Sequence, residues 1–103
     1  MTQTRLDKLE AMLADDPQDQ MLRYMLAMEL DTAGHNNRSL ELFQSLMDDE
    51  PPHVPAFLMA GQQLARLERT DEARETYRTG IQQAQRQGND HAAGEMTQFL
   101  QEL

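Results

Sequence analysis

The sequence of 103 residues contains no cysteine and no tryptophan, and its aromatic residues are three Phe and two Tyr. Without cysteine the chain has no disulfide framework, no thiolate metal ligand and no cysteine nucleophile. Val and Ile are equally scarce, with one of each beside fourteen Leu and eight Met. Because strands are rich in Val and Ile, whereas Leu, Met, Ala, Gln and Glu favour helices, we predict an all-α fold.

Long apolar runs and positive charge are also lacking. No stretch approaches 18 apolar residues, and no basic region followed by an apolar run opens the chain, so we expect a cytoplasmic protein. Eighteen Asp and Glu against nine Lys and Arg give a net charge of −9. Eleven of those acids and four of the bases lie in residues 1–53. Since nucleic-acid binding depends on cationic contacts, we expect neither nucleic acid nor an anionic membrane as partner.

The chain repeats itself with a period of 34 residues. When it is shifted by 34 positions against itself, small residues fall on small residues and aromatic residues on aromatic residues. A fixed period of this length indicates a helical repeat protein, so each repeat is predicted to be a two-helix hairpin. The matched pairs are Pro17 with Pro51, Met25 with Met59, Leu26 with Ala60, Ala27 with Gly61, Leu30 with Leu64, Asn37 with Asp71, Ser39 with Ala73 and Phe43 with Tyr77.

Apolar periodicity and capping signals predict six helices. Gly34 suits the left-handed residue that stops a helix, Asn36 and Thr70 are predicted N-caps, and Pro55 is tolerated in a first turn. The last helix carries an apolar stripe of Met96, Phe99, Leu100 and Leu103. The predicted ranges are about Thr4–Ala14, Asp19–Ala33, Asn37–Glu50, His53–Leu67, Asp71–Gln87 and His91–Leu103.

The period and the residue types resemble the tetratricopeptide repeat, whose pattern is W-x2-L-G-x2-Y, then A-x3-F, then Pro. The first repeat matches with Leu26-Ala27, Leu30, Ser39, Phe43 and Pro51. The second matches with Phe57, Ala60-Gly61, Leu64, Ala73 and Tyr77. The departures are Arg23 at the first Trp place, Gln85 at the second Pro place and Glu68 where the first repeat has Gly34.

The resemblance implies one domain that is a right-handed α-solenoid of antiparallel helix hairpins. Its parts would be a covering helix in 1–17, repeats in 20–53 and 54–87, and a capping helix in 88–103. In this family the first helix of each hairpin lines a concave groove that binds peptides or helices. The groove residues implied by matching positions are Met21, Tyr24, Met28, Asp31, Leu58, Gln62 and Arg66, with Thr32, Pro55 and Ala65 on the same faces.

Met25 and Met59 also fall on the first helices, and two interpretations of them stay open. They occupy equivalent positions in the two repeats, so they either fill the joint between repeats or add to the groove. Some relatives hold the acidic C-terminal tails of heat-shock chaperones with a clamp of Lys, Asn and Arg. Here Tyr24, Met28 and Met59 stand at three of the clamp places, so that clamp is absent.

Candidate chemistry elsewhere is weak, and we expect no enzyme, cofactor or metal. His35, His53 and His91 are not expected to pair with another His or a matched carboxylate one helical turn away. The acidic runs at 15–16 and 48–50 lack the glycine and the ligand spacing of a calcium loop, which favours solvated helix ends. No phosphate-binding loop, dinucleotide fingerprint or nucleophile elbow is present.

The function that the sequence predicts is a non-enzymatic adaptor. Its Met-rich groove would bind a peptide or helix of another protein through apolar anchors, since Met side chains adapt to varied apolar ligands. The alternative is a self-assembly module, in which the same groove or the terminal helix is buried against a second copy, giving a homodimer.

Overall fold

The computed structural model describes residues 4–103, and in that range it contains six α-helices and no strand. The all-α fold and the six predicted helices are confirmed, while residues 1–3 of the expected covering segment lie outside the described range. The chain divides into two compact units, of which the first ends at Leu46 and the second comprises Met47–Leu103. We call them the N-terminal unit and the C-terminal unit. The helices are α1 Arg5–Asp15, α2 Gln20–Thr32, α3 Asn36–Met47, α4 Val54–Arg66, α5 Thr70–Arg86 and α6 Asp90–Gln101.

Side-chain caps define the start of three helices. The side-chain oxygens of Thr4, Asp19 and Asn89 each accept a hydrogen bond from the backbone N–H three residues later, at 3.0, 2.8 and 3.1 Å. Each cap satisfies one of the N–H groups that a helix N-terminus leaves without an intrahelical partner. The predicted caps Asn36 and Thr70 are wrong, because both residues are already the first residue of their helix.

Helices α3 and α5 begin one residue earlier than predicted because of the turns that precede them. The carbonyls of His35 and Arg69 accept the first helical hydrogen bonds, from the N–H groups of Ser39 and Ala73 at 3.1 and 3.0 Å. His35 and Arg69 therefore occupy the capping position, and Arg69 does so without a side-chain cap hydrogen bond.

One turn geometry ends α2, α4 and α5. In each turn a residue with positive φ follows the helix, namely Gly34 at 83°, Glu68 at 60° and Gly88 at 73°. The next N–H then donates to the carbonyl five residues back, at 2.7–2.9 Å, which is the pattern of a Schellman motif. The predicted stop at Gly34 is confirmed. Glu68 adopts the same left-handed backbone conformation, although its Cβ makes that conformation unfavourable.

The C-terminal end of α3 differs from its predicted position. The helix ends at Met47, three residues before the predicted Glu50. Asp48, Asp49 and Glu50 would place negative charge at the negative end of the helix dipole. In addition, the residue before a proline is driven away from helical geometry, and Glu50 precedes Pro51.

Small residues let α2 and α3 approach closely in the N-terminal unit. Ala27 and Ser39 are both completely buried, and the Ser39 hydroxyl donates a hydrogen bond of 2.7 Å to the Ala27 carbonyl. This bond satisfies the buried hydroxyl, which would otherwise lose free energy on burial. A core cluster also joins α2 to α1 through Leu9, Leu13, Leu26 and Leu30.

Arg23, which stands at the Trp place of the repeat pattern, is buried with 7% of its surface exposed. Its guanidinium donates to the Ser45 hydroxyl at 3.3 Å and to the Gln18 carbonyl at 3.1 Å. Arg23 therefore connects α2 both to α3 and to the turn that precedes α2. At this position, where the repeat pattern has an aromatic ring, hydrogen bonds of a buried guanidinium join these segments.

The core of the C-terminal unit lies among α4, α5 and α6. Two helical glycines make room for it, because a Cβ on Gly61 would overlap the Tyr77 ring and a Cβ on Gly80 would lie 2.5 Å from the Phe57 Cβ. Gly94 of α6, in contrast, faces open space. The buried members of the cluster are Val54, Phe57, Tyr77, Ala84, Ala93 and Met96.

Replacement by Ala is expected to have opposite effects at the packed Gly61 and at the exposed Gly94. Gly61→Ala is expected to lower the free energy of unfolding by about 1–2 kcal/mol, because overpacking outweighs the better helix propensity of Ala. Gly94→Ala is expected to raise it by about 0.5–1 kcal/mol, since only propensity changes there. Urea unfolding of both variants measures the difference. Equal shifts of the two midpoints would contradict the packing of Tyr77 against Gly61.

Glu68→Gly is expected to stabilise the protein by about 0.5–1 kcal/mol. Relief of the left-handed backbone conformation exceeds the extra entropy that glycine gives the unfolded chain. Glu68→Ala is the matched control, because it removes the carboxylate and keeps the Cβ. Thermal unfolding should show a higher midpoint for the Gly variant alone, and equal gains in both variants would show that the charge matters rather than the backbone.

Candidate functional site

The predicted site residues of the first repeat lie on one face of α2, which we call the α2 face. Met21, Tyr24, Met28 and Asp31 follow one another at three- and four-residue spacings, so they share a side of the helix. Met21 is 62% exposed and Met28 is 37% exposed, whereas Asp31 is half-buried. The α2 face therefore presents two thioether side chains to solvent.

Tyr24 connects this face with the interior of the hairpin. It is half-buried, and its ring meets the buried Phe43 ring edge-on, with centroids 6.2 Å apart and an interplanar angle of 66°. Burial raises the pKa of the Tyr24 hydroxyl, so the group stays neutral at physiological pH. Tyr24 thus has an anchored ring and a hydroxyl that can donate a hydrogen bond.

The predicted residues of the second repeat share one side of α4 because they are four residues apart. Leu58 is half-buried and packs against the core cluster of the C-terminal unit. Gln62 and Arg66 line a cleft of about 370 Å³, which we call the α4–α6 cleft. Its other lining residues are Ala65 of α4, Tyr77 of α5, Phe99 of α6, and Glu102 and Leu103 beyond α6.

The α4–α6 cleft combines aromatic surface with charges of opposite sign. The Phe99 ring stacks on the Tyr77 ring, with centroids 6.1 Å apart and an interplanar angle of 15°. The pKa of Tyr77 is raised, first by burial and then by the negative charge of Glu102, while the positive charge of Arg66 acts in the opposite direction. The Tyr77 hydroxyl is therefore neutral and lies within the electrostatic reach of both side chains.

The sequence predicts part of this cleft. The resemblance implies Gln62, Ala65 and Arg66 on the groove face, whereas Tyr77 stands out only as a match to the repeat pattern and Phe99 only as part of an apolar stripe. An aromatic residue in a regular stripe has the same sequence pattern whether it is fully covered or lines a cleft. No pattern signals Glu102. Of the two ambiguous methionines, Met25 packs against the N-terminal core, and both are half-buried.

A second cleft, of about 330 Å³, lies in the N-terminal unit. Arg38 and Glu10 form an ion pair of 2.7 Å on its wall, between two half-exposed side chains. Pairs of this exposure contribute little to stability, so this ion pair does not by itself fix the shape of the cleft. Its lining residues are Leu6, Asp7, Glu10, Leu30, His35 and Arg38.

One expectation about the histidines is wrong. His91 lies 3.3 Å from the Glu95 carboxylate, one helical turn away on α6. The four-residue spacing brings the two side chains onto the same side of the helix. Residues 4–103 hold no group of three His, Asp or Glu side chains placed for a metal ion. None of the helices in that range has the length and apolar composition that a membrane crossing requires.

A scan against models of protein families gives no match, and neither does a search of curated proteins. Solved structures do match. The solution NMR structure of a tetratricopeptide repeat domain protein from Salinibacter ruber is 33% identical, with a TM-score of 0.78, over 84% of this chain and 88% of that chain. The crystal structure of a tetratricopeptide repeat domain protein from the same organism is 32% identical, with a TM-score of 0.74, over 82% and 94%.

A protein from Bordetella parapertussis, solved in solution, is 25% identical, with a TM-score of 0.82 over 98% of this chain and 88% of that chain. The matches to the two Salinibacter structures cover most of both chains at more than 30% identity. Proteins of this kind are in general interaction modules and typically not enzymes. Together with the 34-residue period, these likenesses show that the chain belongs to the tetratricopeptide repeat family.

Proposed function

We propose that this chain is a non-enzymatic adaptor whose first helices bind a peptide or a helix of another protein through apolar anchors. The residues that take part are Met21, Tyr24, Met28 and Asp31 on α2, and Leu58, Gln62 and Arg66 on α4. The observation that supports the proposal is the exposure of Met21 and Met28 on the α2 face. Neither a cofactor nor a metal is needed, because recognition of this kind rests on burial of side chains.

The exposed methionines are unusual for this chain. Among residues 4–103 the large hydrophobic side chains that stand exposed are Met12, Met21 and Met28, and two of these three share the α2 face. Scattered single exposed apolar residues are common, whereas apolar side chains that share one side of a helix favour a contact surface. Met is flexible and polarizable, so this surface can adapt to apolar side chains of different shapes.

The anchored Tyr24 ring lies between the two methionines in sequence and gives the surface a fixed element. Its packing against Phe43 holds the ring in place, so little conformational entropy is lost when a partner contacts it. Methionines on either side adjust to the partner, while Tyr24 offers an apolar ring. This combination suits a segment that carries apolar anchors.

The test selects binding peptides from a displayed random library on the wild-type chain and then measures their affinities by fluorescence anisotropy. The double variant Met21→Glu/Met28→Glu is expected to bind at least about 10-fold more weakly, since charges replace apolar contact surface. Met12→Glu is the matched control, because it places the same charge at an exposed Met outside the α2 face. Leu58 is left intact, since a charge there would disturb the core against which it packs.

Unchanged affinity in the double variant, or equal losses in the double variant and Met12→Glu, would overturn the proposal. Circular dichroism confirms that each variant remains helical. Light scattering of the wild type over a wide concentration range tests the alternative, in which a second copy of this chain covers the α2 face. A dimer that the double variant dissociates would assign the α2 face to a second copy of this chain instead of a partner.

A further inference from the structure

We propose that the α4–α6 cleft binds a cationic segment of the partner, with an apolar side chain against Phe99 and Leu103 and a Lys or Arg on the Glu102 carboxylate. This inference rests on the proposed function, because it assumes a protein partner. It extends that function to α6, which the repeat pattern marks only as a cap. The apolar surface and the charges of the cleft support it separately.

The shape of the cleft suits a single anchor side chain. Its volume of about 370 Å³ lies at the lower end of the range of ligand pockets. Ala65 has a small side chain and leaves room on the α4 wall, while Phe99 and Leu103 are half-buried and thus keep apolar surface open to solvent. An aliphatic or aromatic side chain placed there covers this surface. The stacking of Phe99 on Tyr77 makes the aromatic wall rigid.

The charges decide which segment fits. Glu102 is exposed, whereas Arg66 already interacts with other groups of the protein. A Lys or Arg of the partner is therefore attracted to Glu102 and repelled by Arg66, which positions it at the α6 side of the cleft. Residues 54–103, which hold the cleft, carry seven acids against five bases, and this excess of negative charge favours cationic segments over acidic ones.

The probes are two fluorescein-labelled nonapeptides with the same central Leu-Phe pair, one flanked by Lys and the other by Glu at identical places. The Lys peptide is expected to bind at least about 10-fold more tightly in anisotropy titrations at low salt, and added salt should narrow the difference. In NMR spectra of the labelled protein, it should shift the amide signals of Phe99 and Leu103.

Glu102→Gln keeps the shape of the side chain and removes its charge. The substitution is expected to lower the affinity for the Lys peptide about 5-fold. The affinity for the Glu peptide should not fall. Glu75→Gln is the matched control: it changes the net charge equally at an exposed acid of α5 that does not line the cleft. Its affinity for the Lys peptide should stay within about twofold of the wild type.

Three outcomes would overturn the inference: equal binding of both peptides, equal losses in Glu102→Gln and Glu75→Gln, or no binding of either peptide. Its failure can be distinguished from failure of the proposed function. Peptides that shift Met21 and Met28 signals, and that bind less well only to Met21→Glu/Met28→Glu, would leave the α2 face as a binding surface while excluding the cleft.

Discussion

Close approach of paired helices is the constraint on which the packing of this protein depends. The spacing of two packed helices follows from the side chains at their contact, so small residues there permit the nearest approach. Ala27 and Ser39 meet this need in the first hairpin, where a hydrogen bond joins them. Gly61 meets it in the second, where the Tyr77 ring lies against the glycine. In the second hairpin a buried aromatic ring thus packs directly against a residue without a side chain.

The C-terminal unit uses the same residues for stability and for its candidate binding surface. Tyr77 belongs to the buried core, yet its edge is part of the α4–α6 cleft, and Phe99 stacks on it from α6. A wall built in this way needs little rearrangement when a ligand binds, because core packing already holds its rings. In the N-terminal unit the α2 face carries instead two exposed methionines around one anchored tyrosine.

Helix number and hairpin pairing could be predicted because the 34-residue period repeats packing requirements, with Ala27 matching Gly61 and Phe43 matching Tyr77. Helix starts were harder, since the capping residue depends on which carbonyl the preceding turn leaves free, and neither Asn36 nor Thr70 occupies that place. The α2 face could be anticipated through the resemblance to the repeat family, whose first helices line the groove. The α4–α6 cleft could not be predicted, because three of its lining residues lie in or after α6 and the two repeats do not determine where that helix packs.

The choice of thioether side chains at Met21 and Met28 links this surface to the redox state of its surroundings. Oxidation of an exposed methionine forms a sulfoxide, which turns a flexible apolar group into a polar one. Because both exposed sulfur side chains of α2 share one face, oxidants would convert its apolar area into polar area while leaving the covered Met96 in the core untouched. Samples exposed to a peroxide and samples protected from it would then present chemically different faces from an identical fold.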